Sequence, residues 1–174
     1  LSTLPKSASA FIWMSLSSGL SLQPVRLSTW TGTEDASEII DLERLANLAN
    51  KGGAVVQGHF FPEGVTTYAI NTLSKVLAHV RDPRQTVMSW AHYLADPEHV
   101  GRQAHNSYAR VLSHLSLEDR IDWSIDWYLP RQIQYLTTWM NGVKSGSIKA
   151  TVLFLKQEDL VNDPAAYFNS ILDF

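Results

Sequence analysis

Three short apolar runs, each bounded by turn residues, constrain the fold of this chain most strongly. They cover residues 54–59, 75–80 and 150–155, and they are rich in valine, alanine and leucine. Runs of this length without strict polar alternation are typical of strands buried on both faces of a parallel sheet. Residues 1–4 resemble the end of a further strand. Because the runs alternate with helical patterns, we predict an α/β fold with three layers, α/β/α, around a central parallel sheet.

Helices are predicted between the strands from apolar spacing and from capping signals. Asp82 and Asp163 each precede a proline, the pattern of an N-cap followed by the first helical residue. His79 lies inside a predicted strand and is expected in the core. The predicted helices cover residues 11–20, 38–48, 64–73, 85–94, 100–115, 118–127, 130–143 and 165–174.

Composition limits the domain organisation and the partners. The chain has 174 residues, 45% of them apolar, which suits a single domain over residues 1–174. We expect truncation at both ends, since the sequence begins at Leu1 and stops at Phe174 within a predicted helix. A net charge of −3 argues against nucleic-acid binding, and the lack of cysteine favours a cytoplasmic location. No apolar run reaches the ~20 residues that span a bilayer, and the oligomeric state stays open.

A turn of small residues separates the first predicted strand from the first predicted helix. Pro5 ends the extended segment, and Lys6 adds a positive charge. The backbone amides expected to face an anion at the helix N-terminus belong to Ser7, Ala8, Ser9 and Ala10. The pattern predicts a phosphate or sulfate site, although two other interpretations stay open. One is an ordinary loop before a core helix, and the other is a secretory signal with residues 11–22 as its apolar region.

Two more polar side chains follow predicted strands. His59 comes after the run at 54–59, and Arg81 comes directly after the run at 75–80. Ligands of parallel α/β sheets bind beyond the carboxyl ends of the strands. We therefore expect Lys6, His59 and Arg81 to converge on one crevice, although they are far apart in sequence.

Each of these side chains has a functional and a structural interpretation. His59 can act as a general base, or it can be a partly buried histidine bonded to a backbone carbonyl. Arg81, with Ser89 eight residues later, can hold one phosphate. Alternatively, Asp82 forms a surface ion pair with Arg81 or Arg84. The other histidines show no metal-ligand spacing.

In order and spacing, these segments resemble the sulfotransferases that use 3′-phosphoadenosine 5′-phosphosulfate (PAPS). Residues 5–11, PKSASAF, resemble the family's phosphosulfate loop P-K-S-G-T-T-W. Residues 80–84, followed by Ser89, resemble its 3′-phosphate motif. Residues 57–62, QGHFFP, resemble the K-T-H-x-P segment that carries the catalytic histidine in the cytosolic branch. Residues 152–164 are similar to the late strand and the Y-E-D-L-x-x-D-P stretch, so the resemblance covers nearly the whole chain.

The resemblance implies a P-loop-like sulfotransferase architecture and a sulfuryl transfer from PAPS to a hydroxyl or amine. The acceptor would be a small molecule or a carbohydrate, and the scheme needs no metal. The resemblance implies His59 as general base, with Glu63 as the carboxylate alternative, and Lys6 as a catalytic, PAPS-binding cation. The other residues implied to bind PAPS are Ser7, Ala8, Ser9, Ala10, Phe11, Arg81 and Ser89.

The sequence also departs from the family pattern. Ala8 replaces a glycine, so its φ must stay negative or the turn is strained. Ala10 replaces a hydroxyl residue, Phe11 replaces a tryptophan, and the glycine-rich C-terminal segment has no counterpart before Phe174. A non-catalytic nucleotide-binding module on the same scaffold is therefore the alternative function. A nucleotide kinase is a further alternative, disfavoured because the Walker A pattern G-x-x-x-x-G-K-[ST] is absent.

Overall fold

The computed structural model describes residues 1–26, 28–29, 39–96 and 111–174. Most of the helix predicted at 100–115 lies outside the described residues. Strands and helices alternate along the described chain, in the order β1 (Ser2–Thr3), α1 (Ser9–Gly19), β2 (Gln23–Arg26), β3 (Ser28–Thr29), β4 (Ile39–Ile40), α2 (Leu42–Lys51), β5 (Ala54–Gln57), α3 (Val65–Ile70), β6 (Lys75–Val80), α4 (Pro83–Tyr93), α5 (Leu117–Trp123), a π-helix (Ser124–Tyr128), α6 (Leu129–Ser145), β7 (Thr151–Lys156), α7 (Gln157–Asn162) and α8 (Pro164–Asp173).

Five of the strands run parallel to one another. β1 pairs with β6 and β6 with β7, while β2 pairs with β5. An isolated parallel bridge between Ser2 and Gly58 joins the two groups, and the Thr3 amide donates to the Gly58 carbonyl over 3.1 Å. The strand order is therefore β2-β5-β1-β6-β7, with β1 at the centre. A mixed α/β structure with a parallel sheet is confirmed; β3 and β4 form a separate antiparallel pair.

Side chains of the sheet alternate between two cores, and helices cover both faces. On one face, Val76 of β6 packs in a cluster with Trp139 of α6. On the other face, Leu155 of β7 packs with Ile12 of α1 and Tyr167 of α8. A large core side chain such as Trp139 contributes about 3–5 kcal/mol relative to alanine. The two cores fix the strand ends relative to the helices.

Most predicted boundaries hold to within a few residues, and the two proline-marked caps are confirmed. The Asp82 carboxylate accepts a hydrogen bond from the Arg84 amide, and the Asp163 carboxylate accepts one from the Ala166 amide, each over 2.9 Å. The predicted start of the second helix at residue 38 is wrong. Residues 39–40 form β4, and the Asp41 side chain caps α2.

The sequence prediction also lacks β2, the short strand β3 and helix α7. β2 contains Pro24, which interrupts the strand pattern, yet Pro24 pairs in register with Val55 of β5. Proline is tolerated in a strand whose N–H side has no partner strand, and β2 pairs only with β5 in the described sheet. Helix α7 follows β7 without an intervening loop, so no turn residue marks its start.

His79 is a core residue, as the sequence predicts. It is fully buried in β6, with Nδ1 2.8 Å from the Tyr167 hydroxyl and Nε2 3.3 Å from Oε1 of Gln157. Burial lowers the pKa of the His79 imidazole. These bonds tie β6 to α7 and α8. None of the helices described is long and apolar enough to cross a membrane.

Candidate functional site

The loop between β1 and α1 has an unusual backbone. Lys6 and Ala8 both take left-handed conformations, with φ of 64° and 55°. The sequence leaves two possibilities for Ala8, a negative φ or a strained turn. The structure has the strained turn. Positive and negative φ alternate through the loop, which is the pattern of backbone concavities that bind anions.

Helix α1 presents uncapped amides to this loop. Ala8 is the N-cap and supplies no side-chain hydrogen bond, and the first helical bond runs from the Ile12 amide to the Ala8 carbonyl, 3.1 Å. The amides of Ser9, Ala10 and Phe11 consequently have no acceptor within the helix. With the helix dipole they give this end of α1 a positive potential.

Side chains hold the other side of the loop. Three successive carbonyls each accept a hydrogen bond: Leu4 from Ser7 Oγ (2.6 Å), Pro5 from the Tyr128 hydroxyl (2.8 Å) and Lys6 from Nη1 of Arg81 (2.8 Å). In a trans peptide the N–H lies opposite the C=O. The amides of Lys6 and Ser7 therefore point away from the Tyr128 and Arg81 donors. The loop is preorganised by one internal hydrogen bond and by contacts from two distant parts of the chain.

The strain at Ala8 predicts opposite stability effects for two neighbouring glycine substitutions. Ala8→Gly removes a left-handed Cβ penalty of about 1–2 kcal/mol, offset by the added entropy of the unfolded chain. We expect the free energy of unfolding to stay level or rise by up to about 1 kcal/mol. Ala10→Gly, in the first turn of α1, is the control and should lower it by about 0.5–1 kcal/mol. Urea unfolding measures both, and equal losses would contradict the left-handed assignment.

His59 lies where β5 meets the start of the loop. The ring of Phe60 folds over Gly58 so closely that a Cβ there would lie 2.1 Å from Cζ, so any larger residue would force this buried ring to move. Nδ1 of His59 is 3.0 Å from the Thr3 carbonyl oxygen. The Thr3 hydroxyl also lies 3.3 Å from Nδ1, but a carbonyl can only accept, so the shorter contact favours a proton on Nδ1 and the lone pair of the neutral ring on Nε2. The structural interpretation of His59 is therefore correct, and it is compatible with the role of a base.

Arg81 follows β6 and contacts the loop rather than the neighbouring aspartate. Its Nη1 bonds the Lys6 carbonyl, and Nη2 lies 3.5 Å from Oε1 of Gln85. The ion pair predicted as an alternative joins Asp82 to Arg84, 2.6 Å apart. The Arg84 guanidinium lowers the pKa of Asp82. The Asp82–Arg84 pair leaves Arg81 directed at the loop.

Ser89 lies between the two cations along α4. Gln85, Ser89 and Tyr93 are spaced four residues apart and share one side of the helix. Gln85 contacts Arg81 at one end, and the Lys6 ammonium lies 4.2 Å from the ring centroid of Tyr93 at the other. Lys6, Ser89 and Arg81 are thus arranged along one flank of α4.

The charge of Arg81 affects the pKa of Lys6. Burial lowers the pKa of Lys6, the positive charge of Arg81 lowers it further, and Asp96 opposes both effects. Two like charges held near each other repel, and an anion bound between them relieves the repulsion. The local charge therefore favours an anionic ligand although the whole chain is net negative.

Ser7, Phe11 and Glu63 are also predicted site residues, and their side chains are bonded or packed within the protein. Ser7 is 1% exposed and its hydroxyl is bonded to Leu4, so only its backbone is available to a ligand. Phe11 is 58% exposed and packs edge-on against Phe168, with centroids 6.4 Å apart. Glu63 precedes α3 and accepts a hydrogen bond from Nε2 of Gln134 over 3.2 Å.

Residues 11–22, the apolar region of the signal-peptide alternative, are largely helix α1. Ile12 and Leu16 of this helix are buried in the core with Leu155 and Tyr167. The segment is thus an integral part of the folded domain.

Tyr128 is not among the site residues that the sequence predicts. The residue is buried, and burial raises the pKa of its phenol. A buried tyrosine hydroxyl normally has a hydrogen-bond partner, so a polar contact is foreseeable. The partner is the Pro5 carbonyl, distant in sequence, and no local pattern identifies it.

Across residues 1–26, 28–29, 39–96 and 111–174, no group of three or more histidine and acidic side chains could hold a metal ion. No protein-family model matches the chain, and no curated protein or solved structure is significantly similar to it.

Proposed function

We propose that this protein is a sulfotransferase that moves a sulfuryl group from PAPS to a hydroxyl or amine of a small-molecule or carbohydrate acceptor. The observation that carries the proposal is the arrangement at the carboxyl ends of β1, β5 and β6. The Lys6 loop, His59 and Arg81 follow these three adjacent strands, and Ser89 lies on the flank of α4 between the two cations.

The donor set fits an anionic nucleotide with phosphates at two positions. Lys6 and the amides at the start of α1 suit the phosphosulfate group, since unpaired amides and a cation favour negative charge. Arg81 suits the 3′-phosphate because a guanidinium binds phosphate by paired hydrogen bonds, with Ser89 as a neutral donor. The strand order β2-β5-β1-β6-β7, with a loop and helix after the central strand, supports a P-loop-like sulfotransferase architecture.

The proposed mechanism assigns a role to His59, to Lys6 with the loop amides, and to Arg81. PAPS supplies the sulfuryl group to the acceptor. Nε2 of His59 takes the proton from the acceptor as the new O–S or N–S bond forms, and Nδ1 stays bonded to Thr3. Lys6 and the loop amides stabilise the charge that develops on the leaving phosphate oxygen. Arg81 holds the nucleotide and the Lys6 carbonyl together, which positions the loop.

Binding of adenosine 3′,5′-bisphosphate tests the nucleotide site, with Arg81→Ala as the informative variant. We expect wild type to bind and Arg81→Ala to bind about 10- to 100-fold more weakly, since a hydrogen bond to a charged group contributes about 1.5–3 kcal/mol. Calorimetry gives both affinities, and Arg84→Ala is the matched control because Arg84 pairs with Asp82. Wild type that fails to bind would refute the proposal.

Turnover separates the enzyme from the non-catalytic module. Labelled PAPS is offered with alcohols, phenols and sugars, and the transfer of label is measured. Ala10, which lacks the hydroxyl of the family pattern, favours the module. Bisphosphate binding without transfer to any acceptor would establish the module instead.

A further inference from the structure

We propose that one buried water joins Gln132 of α6 to Arg81, and that Gln132 is a positioning residue for the guanidinium. The proposal rests on the proposed function, because it assigns to Arg81 the 3′-phosphate of the nucleotide. It adds a residue from α6 and an internal water to that site.

The water would occupy a cavity directly behind the loop. The cavity offers about 20 Å³ to the centre of a water-sized sphere, and its lining includes Leu4, Ser7, Arg81, Thr86, Gln132 and Tyr135. About 10–15 Å³ by this measure suffices for one water. The cavity therefore has room for one water, provided that enough polar atoms line it.

Two buried donors without partners line this cavity. Nε of Arg81 and Nε2 of Gln132 are buried and have no partner in good hydrogen-bond geometry among the described residues. The Gln132 amide also lies near enough to the Tyr128 phenol to oppose the rise that burial causes in its pKa. Gln132 is only 4% exposed. An unsatisfied buried polar group costs about 1–3 kcal/mol, and more when it is charged. Both atoms are donors, so they need a common acceptor, which a water oxygen supplies.

The same cavity supplies acceptors for the hydrogens of the water. Ser7 donates its hydroxyl hydrogen to the Leu4 carbonyl, and Thr86 donates its own to the Asp82 carbonyl. Each oxygen therefore keeps its lone pairs as an acceptor, and both residues line the cavity. Two donors and two acceptors match the four hydrogen bonds that a water makes.

The bridge would fix the plane of the guanidinium. Nη1 of Arg81 is held by the Lys6 carbonyl, and a water on Nε adds a second restraint on another edge. A guanidinium fixed at two edges presents its remaining N–H groups in one orientation, which lowers the entropic cost of binding phosphate. Gln132 acts on the ligand only through Arg81.

A double-mutant cycle on adenosine 3′,5′-bisphosphate binding tests this role. Gln132→Met keeps the size of the side chain and removes its donor, so we expect about 5- to 10-fold weaker binding, the equivalent of about one hydrogen bond. In an Arg81→Ala background, Gln132→Met should have no further effect. Gln134→Met, exposed on the same helix, should leave the affinity unchanged.

A crystal structure of wild type supplies a second measurement that needs no variant to fold. It should contain a water within hydrogen-bond distance of both Arg81 Nε and Gln132 Nε2, and a dry cavity would overturn the proposal. Equal losses from Gln132→Met with and without Arg81, or no loss at all, would overturn it while leaving the proposed function intact. Failure of wild type to bind the bisphosphate would instead refute the proposed function, and the phosphate role of Gln132 with it.

Discussion

His59→Ala is expected to lower kcat for sulfuryl transfer about 10²- to 10⁴-fold, the usual contribution of a general base. Nδ1 of His59 is committed to the Thr3 carbonyl, so the ring is held in the tautomer whose Nε2 can accept a proton. Alanine removes the base but leaves the Lys6 loop and Arg81 in place. The affinity for adenosine 3′,5′-bisphosphate should therefore change little. Steady-state kinetics with labelled PAPS and calorimetry measure the two quantities.

The pH dependence separates loss of a base from misfolding. Protonation of His59 at low pH blocks its action, so wild-type kcat/KM should fall on the acid side and the His59→Ala profile should lose that limb. His92→Ala is the matched control, because His92 is an exposed histidine in the last turn of α4. Full activity in His59→Ala, together with its loss in Glu63→Gln, would assign the base to Glu63.

The sequence predicts where strands occur along the chain better than it predicts which strands lie side by side in the sheet. The runs that form β5, β6 and β7 are apolar and bounded by turns, so each is recognisable locally. β2 is not, because Pro24 is acceptable only where no partner strand needs its missing N–H, and that depends on its place in the sheet. Local composition identifies a strand, whereas position within a sheet is a tertiary property.

The residues of the candidate site likewise fall into those that the local sequence predicts and those that only tertiary packing brings in. Lys6, His59 and Arg81 can be predicted because each follows a recognisable strand, and strand ends of a parallel sheet lie at a common edge. Tyr128 and Gln132 cannot, since they lie in the π-helix and α6, more than a hundred residues along the chain. Tyr128 bonds the Pro5 carbonyl of the loop, and Gln132 lines the cavity behind it. Their roles depend on helix packing, and the sequence pattern near them is that of ordinary core.

For the backbone of Ala8, the sequence leaves two alternatives and the structure decides between them. The sequence leaves a negative φ or a strained turn as alternatives, and the structure has φ of 55°. The hydrogen bonds on the Leu4, Pro5 and Lys6 carbonyls hold the turn in place and can offset a strain of about 1–2 kcal/mol. A glycine is therefore favourable but not essential at this position.

Lys6→Met is expected to lower kcat about 10²- to 10³-fold, the typical loss when one preorganised donor to a developing negative charge is removed. The ammonium lies over the Tyr93 ring, 4.2 Å from its centroid, and the pKa of Lys6 is lowered by burial and by Arg81. Methionine keeps the aliphatic stem and removes only the charge. Lys6→Arg should restore part of the rate, and Lys144→Met, an exposed lysine of α6, should be neutral.

Stability distinguishes this loss of rate from damage to the fold. Because the folded-state pKa of Lys6 is lowered, the folded protein binds this proton less tightly than the unfolded chain does. The penalty is fully present below the folded pKa and disappears as the pH rises through the folded pKa to the unfolded value near 10.4. Lys6→Met has no ammonium and therefore no such penalty, so its Tm at pH 7 should be at least equal to that of wild type. The difference in Tm between the two proteins should shrink towards pH 10. A Tm at pH 7 well below that of wild type would show that the ammonium stabilises the fold, and the lower kcat would then count as structural damage.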